Sequence, residues 1–341
     1  MNIQEGPIGK LAFLGAVAGV MVLSTAAGAA ELKMQTFLGA NASTTKAFEA
    51  MAASLKESTG GEVDITVLPG RAVVGAGETI DAIQNGLLDG QYTAPSYFAG
   101  KDAALGVLGD TLAAYPDSAT RDRWFTEGGG LELARALYDK YDLHFICPVY
   151  WPSEQIPSTV AINSVADLSG LKMRAPGGLA SDLLSRAGAS LVNMGVGESV
   201  TAMETGVLDA TDLANVSLNV ALGMHNKAKY SVLARHSMAV TEVSLSKDKW
   251  NSLSADSQAK FEAACNQMSA DLQTTLTAED AAAETKAKDE LSVTFIAFGE
   301  EDAAKFRALT TDVWADWGAK SADAQAVVDS HKAFMSKIGL K

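Results

Sequence analysis

Residues 77–89 read GETIDAIQNGLLD, and 120 positions later residues 197–209 read GESVTAMETGVLD. Gly, Glu, Ala, Gly, Leu and Asp recur identically, and Thr/Ser, Ile/Val, Ile/Met and Leu/Val are exchanged in kind. Both copies carry apolar residues at helical spacing up to a glycine, which ends the helix because it alone enters left-handed backbone without strain. Strand-like runs flank each copy: 63–67 and 87–93 around the first, 190–194 and 207–212 around the second. Upstream, 32–37 reads as a strand and 42–58 as a helix with Phe48, Met51, Ala52 and Leu55 on one face. A β-α-β-α-β order within roughly sixty residues implies an open α/β sheet, and the repeat implies two such lobes. Ligands in these sheets bind beyond the carboxyl ends of the strands. The segments after the two repeats, 92–97 and 211–217, are therefore expected to face a shared cleft.

Beyond residue 246 the pattern changes. Residues 247–288 are Ala-rich with few helix breakers and read as one or two long helices. A strand at 293–298 and helices over 301–338 finish the chain. The organisation expected is a leader at 1–30, a first lobe at 31–150 with help from the C-terminal segment, a second lobe at 151–246, and bridging helices at 247–341. The leader rests on Lys10, an apolar run from 11 to 23 and the small-residue signal Ala27-Gly28-Ala29, the layout of a secretory signal peptide cleaved near Ala29 or Ala30. The mature protein is expected to be exported to the periplasm.

Composition removes several functions. The 341 residues carry 27 Lys+Arg against 41 Asp+Glu, a net charge of −14, which argues against nucleic acid as a partner. Leader removal takes out Glu5 and Lys10 together and leaves that charge unchanged. Two cysteines, Cys147 and Cys265, make neither a disulfide scaffold nor a zinc site, and sequence leaves open whether they pair or pack as small apolar groups. His144, His225, His236 and His331 lack metal-ligand spacing, and His144 reads as a strand histidine. No nucleophile elbow, Walker loop or HExxH occurs. Gly128-Gly129-Gly130 lacks dinucleotide spacing and reads as a helix-entry loop. No catalytic residue is identified, and the chain is not read as an enzyme.

Arg174 stands apart. It lies near the end of the short strand 171–174, before Ala175-Pro176-Gly177-Gly178. An arginine there can turn its rigid five-donor fork into a cleft and grip a carboxylate or sulfonate through two hydrogen bonds.

At these residues a family resemblance appears. SVADLSGLKMRAPGG (164–178) resembles a signature of the solute-binding proteins of tripartite ATP-independent periplasmic (TRAP) transporters, DctP type. ESTGGEVDITVLPG, both repeat copies and the long terminal helices with FEAACNQ follow in the family's order, so the resemblance covers nearly the whole mature chain. The stretch from LPGRAVVGAG through GGGLELARALYDKYDL is most similar to the 2-oxo acid-binding branch. This implies a two-lobed periplasmic binding protein fold, with a central cleft, hinge strands and long C-terminal helices. It implies a receptor that captures a small organic anion, a 2-oxo acid, hydroxy acid or other carboxylate, and delivers it to integral membrane permease subunits. It places the substrate salt bridge on Arg174, with Tyr97, Trp151, Asn215 and Ser217 lining the cleft. In that branch a Glu-Trp pair and an upstream Gln hold a cation beside the substrate. The positions corresponding to the Glu-Trp pair are Asp212 and Leu213, and Gln155 lies within about one residue of the upstream Gln, so Asp212 and Gln155 are the candidate ligands of a Ca²⁺ or Na⁺ ion, with the Trp lost and the acid shortened. The resemblance also allows a homodimer through the C-terminal helices. Two alternatives remain: a receptor for an amino- or hydroxy-sulfonate, and an exported α/β enzyme acting on a small acid.

Overall fold

The computed structural model describes residues 1–3, 30–194 and 196–340. The expected leader, with its apolar run and cleavage signal, lies outside them. The chain first runs β1 (Ala30–Thr36), α1 (Ser43–Ser58), β2 (Val63–Leu68), α2 (Thr79–Gln84), β3 (Gly90–Thr93), α3 (Ala103–Gly109), α4 (Ser118–Glu127), α5 (Gly130–Asp139) and β4 (Leu143–Tyr150). It crosses to β5 (Ile156–Ser158), β6 (Lys172–Ala175), α6 (Gly178–Arg186), β7 (Ser190–Asn193), α7 (Val196–Glu204), β8 (Ala210–Thr211), α8 (Val216–Ala221) and β9 (Tyr230–Leu233). It then returns through β10 (Val240–Ser246), α9 (Lys247–Ser252), α10 (Ala255–Leu291), β11 (Thr294–Ala297), α11 (Glu300–Gly318) and α12 (Ala322–Lys337). No described helix is long and apolar enough to cross a membrane.

Two sheets result, one per lobe. The first has the order β2-β1-β3-β10-β4, and the second β11-β9-β5-β8-β6-β7. Here the boundaries differ from the sequence expectation. Strand β10 falls inside the span assigned to the second lobe, yet it pairs antiparallel with β3 and β4 of the first sheet. In exchange β11, from the C-terminal span, pairs parallel with β9 of the second. Each lobe borrows a strand from beyond a crossover, so the two sheets are linked by extended chain at 151–155 and 234–239 and by α10. Helix α10 crosses the boundary as a strut. Cys265 on it is disulfide-bonded to Cys147 of β4, both fully buried. Further along, Asp280 Oδ1 accepts hydrogen bonds from the Ser217 N–H at the start of α8 (2.8 Å) and from Asn215 Nδ2 (2.7 Å).

The repeat read in the sequence is a repeat in three dimensions. Gly86 and Gly206 have φ of +71° and +74°, the left-handed conformation that stops each helix. The next residue is exposed in each copy (Leu87, Val207) and the one after is buried (Leu88, Leu208). Asp89 Oδ2 then accepts from the Lys33 N–H at 2.8 Å, and Asp209 Oδ2 from the Lys172 N–H at 3.0 Å. The identical Gly-x-Leu-Asp thus stops a helix, drops one leucine into the core and ties the incoming strand to its parallel neighbour. Helix α1 buries Phe48, Met51, Ala52 and Leu55 as their spacing predicts.

One polar cluster lies inside the first sheet. Glu242 on β10 is fully buried, accepting from Gln91 Nε2 at 2.6 Å and from Ser244 Oγ at 3.3 Å through Oε1. Its Oε2 faces the buried Tyr138 hydroxyl. Burial pushes the carboxyl up to about 8, against the opposing effect of its neighbours. Because the folded-state value exceeds the unfolded one, this group's contribution is complete below about pH 4.5 and is lost as pH rises toward 8. Glu242→Gln should therefore flatten the decline in folding stability across that window and gain roughly 1–3 kcal/mol at alkaline pH relative to wild type. Urea titrations at several pH values measure this, and an unchanged pH slope would count against the assignment. Removing the disulfide in a Cys147→Ala/Cys265→Ala variant should cost about 2–4 kcal/mol, since it opens a long loop of the unfolded chain. Denaturation of the double variant beside the oxidised protein checks this.

Candidate functional site

Between the lobes lies a cleft of about 910 Å³. The first lobe contributes Phe37 and Tyr97, the crossovers contribute Trp151, Glu154 and Ser237, and the second lobe contributes Arg174 and Asp212. The segments after both repeats do meet here.

Arg174 stands on β6, which is flanked by β7 and β8 in parallel pairing, so its side chain emerges at the carboxyl edge of the second sheet. It is 7% exposed. Nε donates to the Met194 carbonyl at 3.1 Å and Nη1 to the Asp212 carbonyl at 2.7 Å. Two main-chain acceptors thus fix the guanidinium plane without neutralising its charge. Its Nη2 donors make no hydrogen bond among the described residues. The turn after β6 needs glycine, since Gly177 and Gly178 have φ of +93° and +66°.

Beside Arg174 sits an acidic cluster that spacing alone does not reveal. His236 Nε2 lies 2.7 Å from Asp212 Oδ1, and both residues are fully buried. Glu154 joins them: one donor atom from each of Glu154, Asp212 and His236 lies within 4.8 Å of the others, in an arrangement that could hold a metal ion. Among the described residues, Asp212 Oδ2 and His236 Nδ1 accept or donate no hydrogen bond, apart from any that a protonated Glu154 gives Asp212. Burial acts to raise the Asp212 carboxyl, but the His236 imidazole, Glu154 and Arg174 outweigh it and hold the group below its usual range. Glu154 moves the other way. Burial first, then the Asp212 carboxylate and the charge of Asp110, push it well above its ordinary value despite Arg174. Asp110, also raised chiefly by burial, accepts from Ser237 Oγ at 2.8 Å and from the Leu112 N–H at 2.8 Å. The floor of the cleft therefore sets one fixed guanidinium beside three carboxyl groups and an imidazole.

The other expected residues divide. Tyr97 lines the cleft and remains 47% exposed. Trp151 lines it too, with Nε1 donating to Thr241 Oγ1 at 3.1 Å and its ring edge-on to Phe37 at 5.8 Å. Asn215 reaches the cleft wall, but its amide nitrogen is committed to Asp280 and Ser217. Ser217 is not a wall residue; its N–H and hydroxyl serve the Asp280 tie at the start of α8. Gln155 also lies off the cleft. Its backbone bridges Leu213 and its Oε1 accepts from Ser231 Oγ at 3.4 Å. Extended backbone sends successive side chains to opposite faces, so the residue presented to the cleft is Glu154. Of the histidines, His331 stacks on Trp124 at 3.8 Å, and burial lowers it to about 3. His144 stacks on Trp250 at 4.0 Å, as befits the strand histidine expected. Only His236 reaches the site, and no sequence signal marks it, because its partners come from two other segments.

The chain matches the family model of bacterial extracellular solute-binding protein family 7, DctP, over residues 34–321. A TRAP periplasmic solute-binding protein from Rhodobacter sphaeroides, solved in an apo open state, is 34% identical, with 91% of this chain and 98% of that one covered at a TM-score of 0.78. One from Colwellia psychrerythraea, solved with calcium and pyruvate, shares the fold at 24% identity and a TM-score of 0.79, covering 90% and 94% of the two chains. A monocarboxylate 2-oxoacid-binding periplasmic protein of Nostoc sp. is 27% identical over 201 residues, or 57% of this chain and 51% of its own. The match spans about half the length of the curated relatives.

Proposed function

The chain belongs to the DctP family of bacterial extracellular solute-binding proteins, and on that footing we propose that it is the exported receptor of a TRAP transporter, closing on a small organic anion held by Arg174 and presenting it to the membrane permease. The observation that carries this reading is the guanidinium itself, fixed by two carbonyls in a cleft between lobes joined by extended crossovers. Its free donors suit a bidentate grip on a carboxylate, and lobe closure would strip water from the pair and strengthen it. The match to a solute-binding family supports delivery of an unaltered solute rather than turnover of it.

Arg174 alone does not explain three carboxyl groups at the same floor. A cation beside the ligand does, and the residues fit one: the buried Asp212 Oδ2 meets no donor group from Lys, Arg or the main chain among the described residues, and Glu154 supplies a second carboxyl oxygen within reach. Hard cations such as Ca²⁺ or Na⁺ take such oxygens. In this reading Asp212 and Glu154 hold the ion, and His236 orients Asp212 from behind. The ion would supply positive charge to a second oxygen of the ligand. The Colwellia relative carries calcium with its pyruvate, which supports this arrangement. The same carboxyl groups also favour a second reading, in which the ligand brings its own ammonium, as an amino-sulfonate or amino acid does.

A thermal-shift screen of 2-oxo acids, hydroxy acids, dicarboxylates, aromatic acids and sulfonates, each with EDTA or with added Ca²⁺ or Na⁺, separates these readings. A ligand at 100 times its Kd adds about 2.7 kcal/mol of stability. For the best hit, Arg174→Ala should lose about 2–5 kcal/mol of binding, roughly 30-fold or more in Kd, with Arg174→Lys recovering only part. Calorimetric titration measures this, and an unchanged Kd in Arg174→Ala would falsify the anion site. Asp212→Asn should abolish any restoration of affinity by Ca²⁺ or Na⁺. Affinity that persists in EDTA and requires an amino group would instead select the ammonium reading.

A further inference from the structure

Away from the cleft, one ion pair between a buried arginine and a partly buried aspartate touches all three segments that join the two sheets. Arg121 on α4 is fully buried. Its Nε and Nη2 donate to Asp122 Oδ1 at 3.0 and 2.8 Å. Nη1 donates to the Ala239 carbonyl at 2.8 Å, where the returning crossover enters β10. Nη2 also reaches the Trp151 carbonyl at 3.4 Å, where the outgoing crossover leaves β4. The guanidinium lies 5.3 Å from the centre of the Tyr150 ring. The third segment is α10, where Gln273 Nε2 donates to Asp122 Oδ2 at 3.3 Å. Gln273 sits eight residues after the disulfide at Cys265 and seven before the Asp280 tie to α8, midway between the strut's anchors in the two lobes.

We propose that Arg121 and Asp122 are the positioning residues of the hinge: they hold the roots of both crossovers and the middle of α10 at one point, and so set how far and how freely the lobes open. Buried charge is costly unless it is paired and hydrogen-bonded. A guanidinium in a gap between two crossovers and a helix therefore resists their separation. Beyond the anchored root, Arg235 in the returning crossover has φ of +56°, a conformation rare for a residue with a side chain, while Trp151 leads into Pro152. Rotation is then confined to the few residues between these roots and the second sheet. The long contacts to Trp151 and Gln273 can stretch or shorten at little cost, whereas the 2.8 Å bonds keep the pivot in place. None of Arg121, Asp122 and Gln273 lines the cleft. The proposal rests on the receptor reading for its purpose but not for its test.

Spin labels on exposed positions of α1 and α6 report the distance between lobes in the ligand-free protein. Gln273→Leu removes the α10 contact and leaves the ion pair intact; Asp122→Asn and Arg121→Lys weaken the pair. The expected result is a broader inter-lobe distance distribution in all three, with the open-to-closed ratio displaced about fivefold, which is about 1 kcal/mol. A merely structural role would lower the melting temperature and leave the distribution as in wild type. That outcome in folded Gln273→Leu and Asp122→Asn overturns the proposal. Should Arg121→Lys fail to fold, the other two variants still decide. Failure of every anion to narrow the wild-type distribution would instead defeat the receptor reading, while the ligand-free comparison continues to judge the hinge.

Discussion

Burial of the Arg174 guanidinium at the carboxyl edge of the second sheet is the constraint on which the cleft depends. A charge so enclosed must be met by acceptors already in place. The fold supplies two main-chain carbonyls, from Met194 after β7 and Asp212 after β8. Both directly follow strands adjacent to β6, so sheet pairing fixes the guanidinium before any ligand arrives. The carbonyls orient the charge without cancelling it, and the nearby carboxyl groups are sorted by their surroundings. Asp212 stays ionised beside His236 and Arg174, while Glu154 and Asp110 are driven by burial toward their neutral forms. Carboxyl groups graded in this way beside a fixed guanidinium leave the cleft floor with mixed charge and not with one dominant sign.

The parts of this architecture that sequence conveyed are those whose cause is local. Gly86 and Gly206 stop their helices through their own backbone freedom, and Asp89 and Asp209 reach strands that are already neighbours in a parallel pair. The repeat could therefore be read from thirteen letters. Arg174 was legible for the same reason, with a strand before it and a glycine turn after. Strand β10 was not, because nothing in the sequence of Val240–Ser246 favours one sheet over the other. Its membership is decided by pairing with β3 and β4 across long sequence separations.

The same limit explains the site. Gln155 was a sound choice of residue type at a position one step out of phase, and in an extended segment one step reverses the face. His236 reaches Asp212 only because the returning crossover folds past β8, and nothing in its immediate neighbours announces that. Asn215 reaches the cleft wall and Ser217 does not, and the polar groups of both are drawn away by Asp280, a residue on a helix that sequence describes only as long and Ala-rich. Side chains whose partners lie on other segments are the ones that a linear reading misplaces.

The bond between Cys147 and Cys265 closes a covalent ring that passes out along one crossover, through β5 to β9, and back along the other. Most of the second lobe is thus a bead threaded on a loop whose ends are sealed in the core of the first. A protease that nicks the exposed surface between β5 and β9 cannot separate the fragments, since both remain joined through the disulfide and through the strands on either side of it. In an oxidising compartment this leaves a cut chain in one piece, whereas in a reducing one the same cut leaves only non-covalent contacts to hold the halves together.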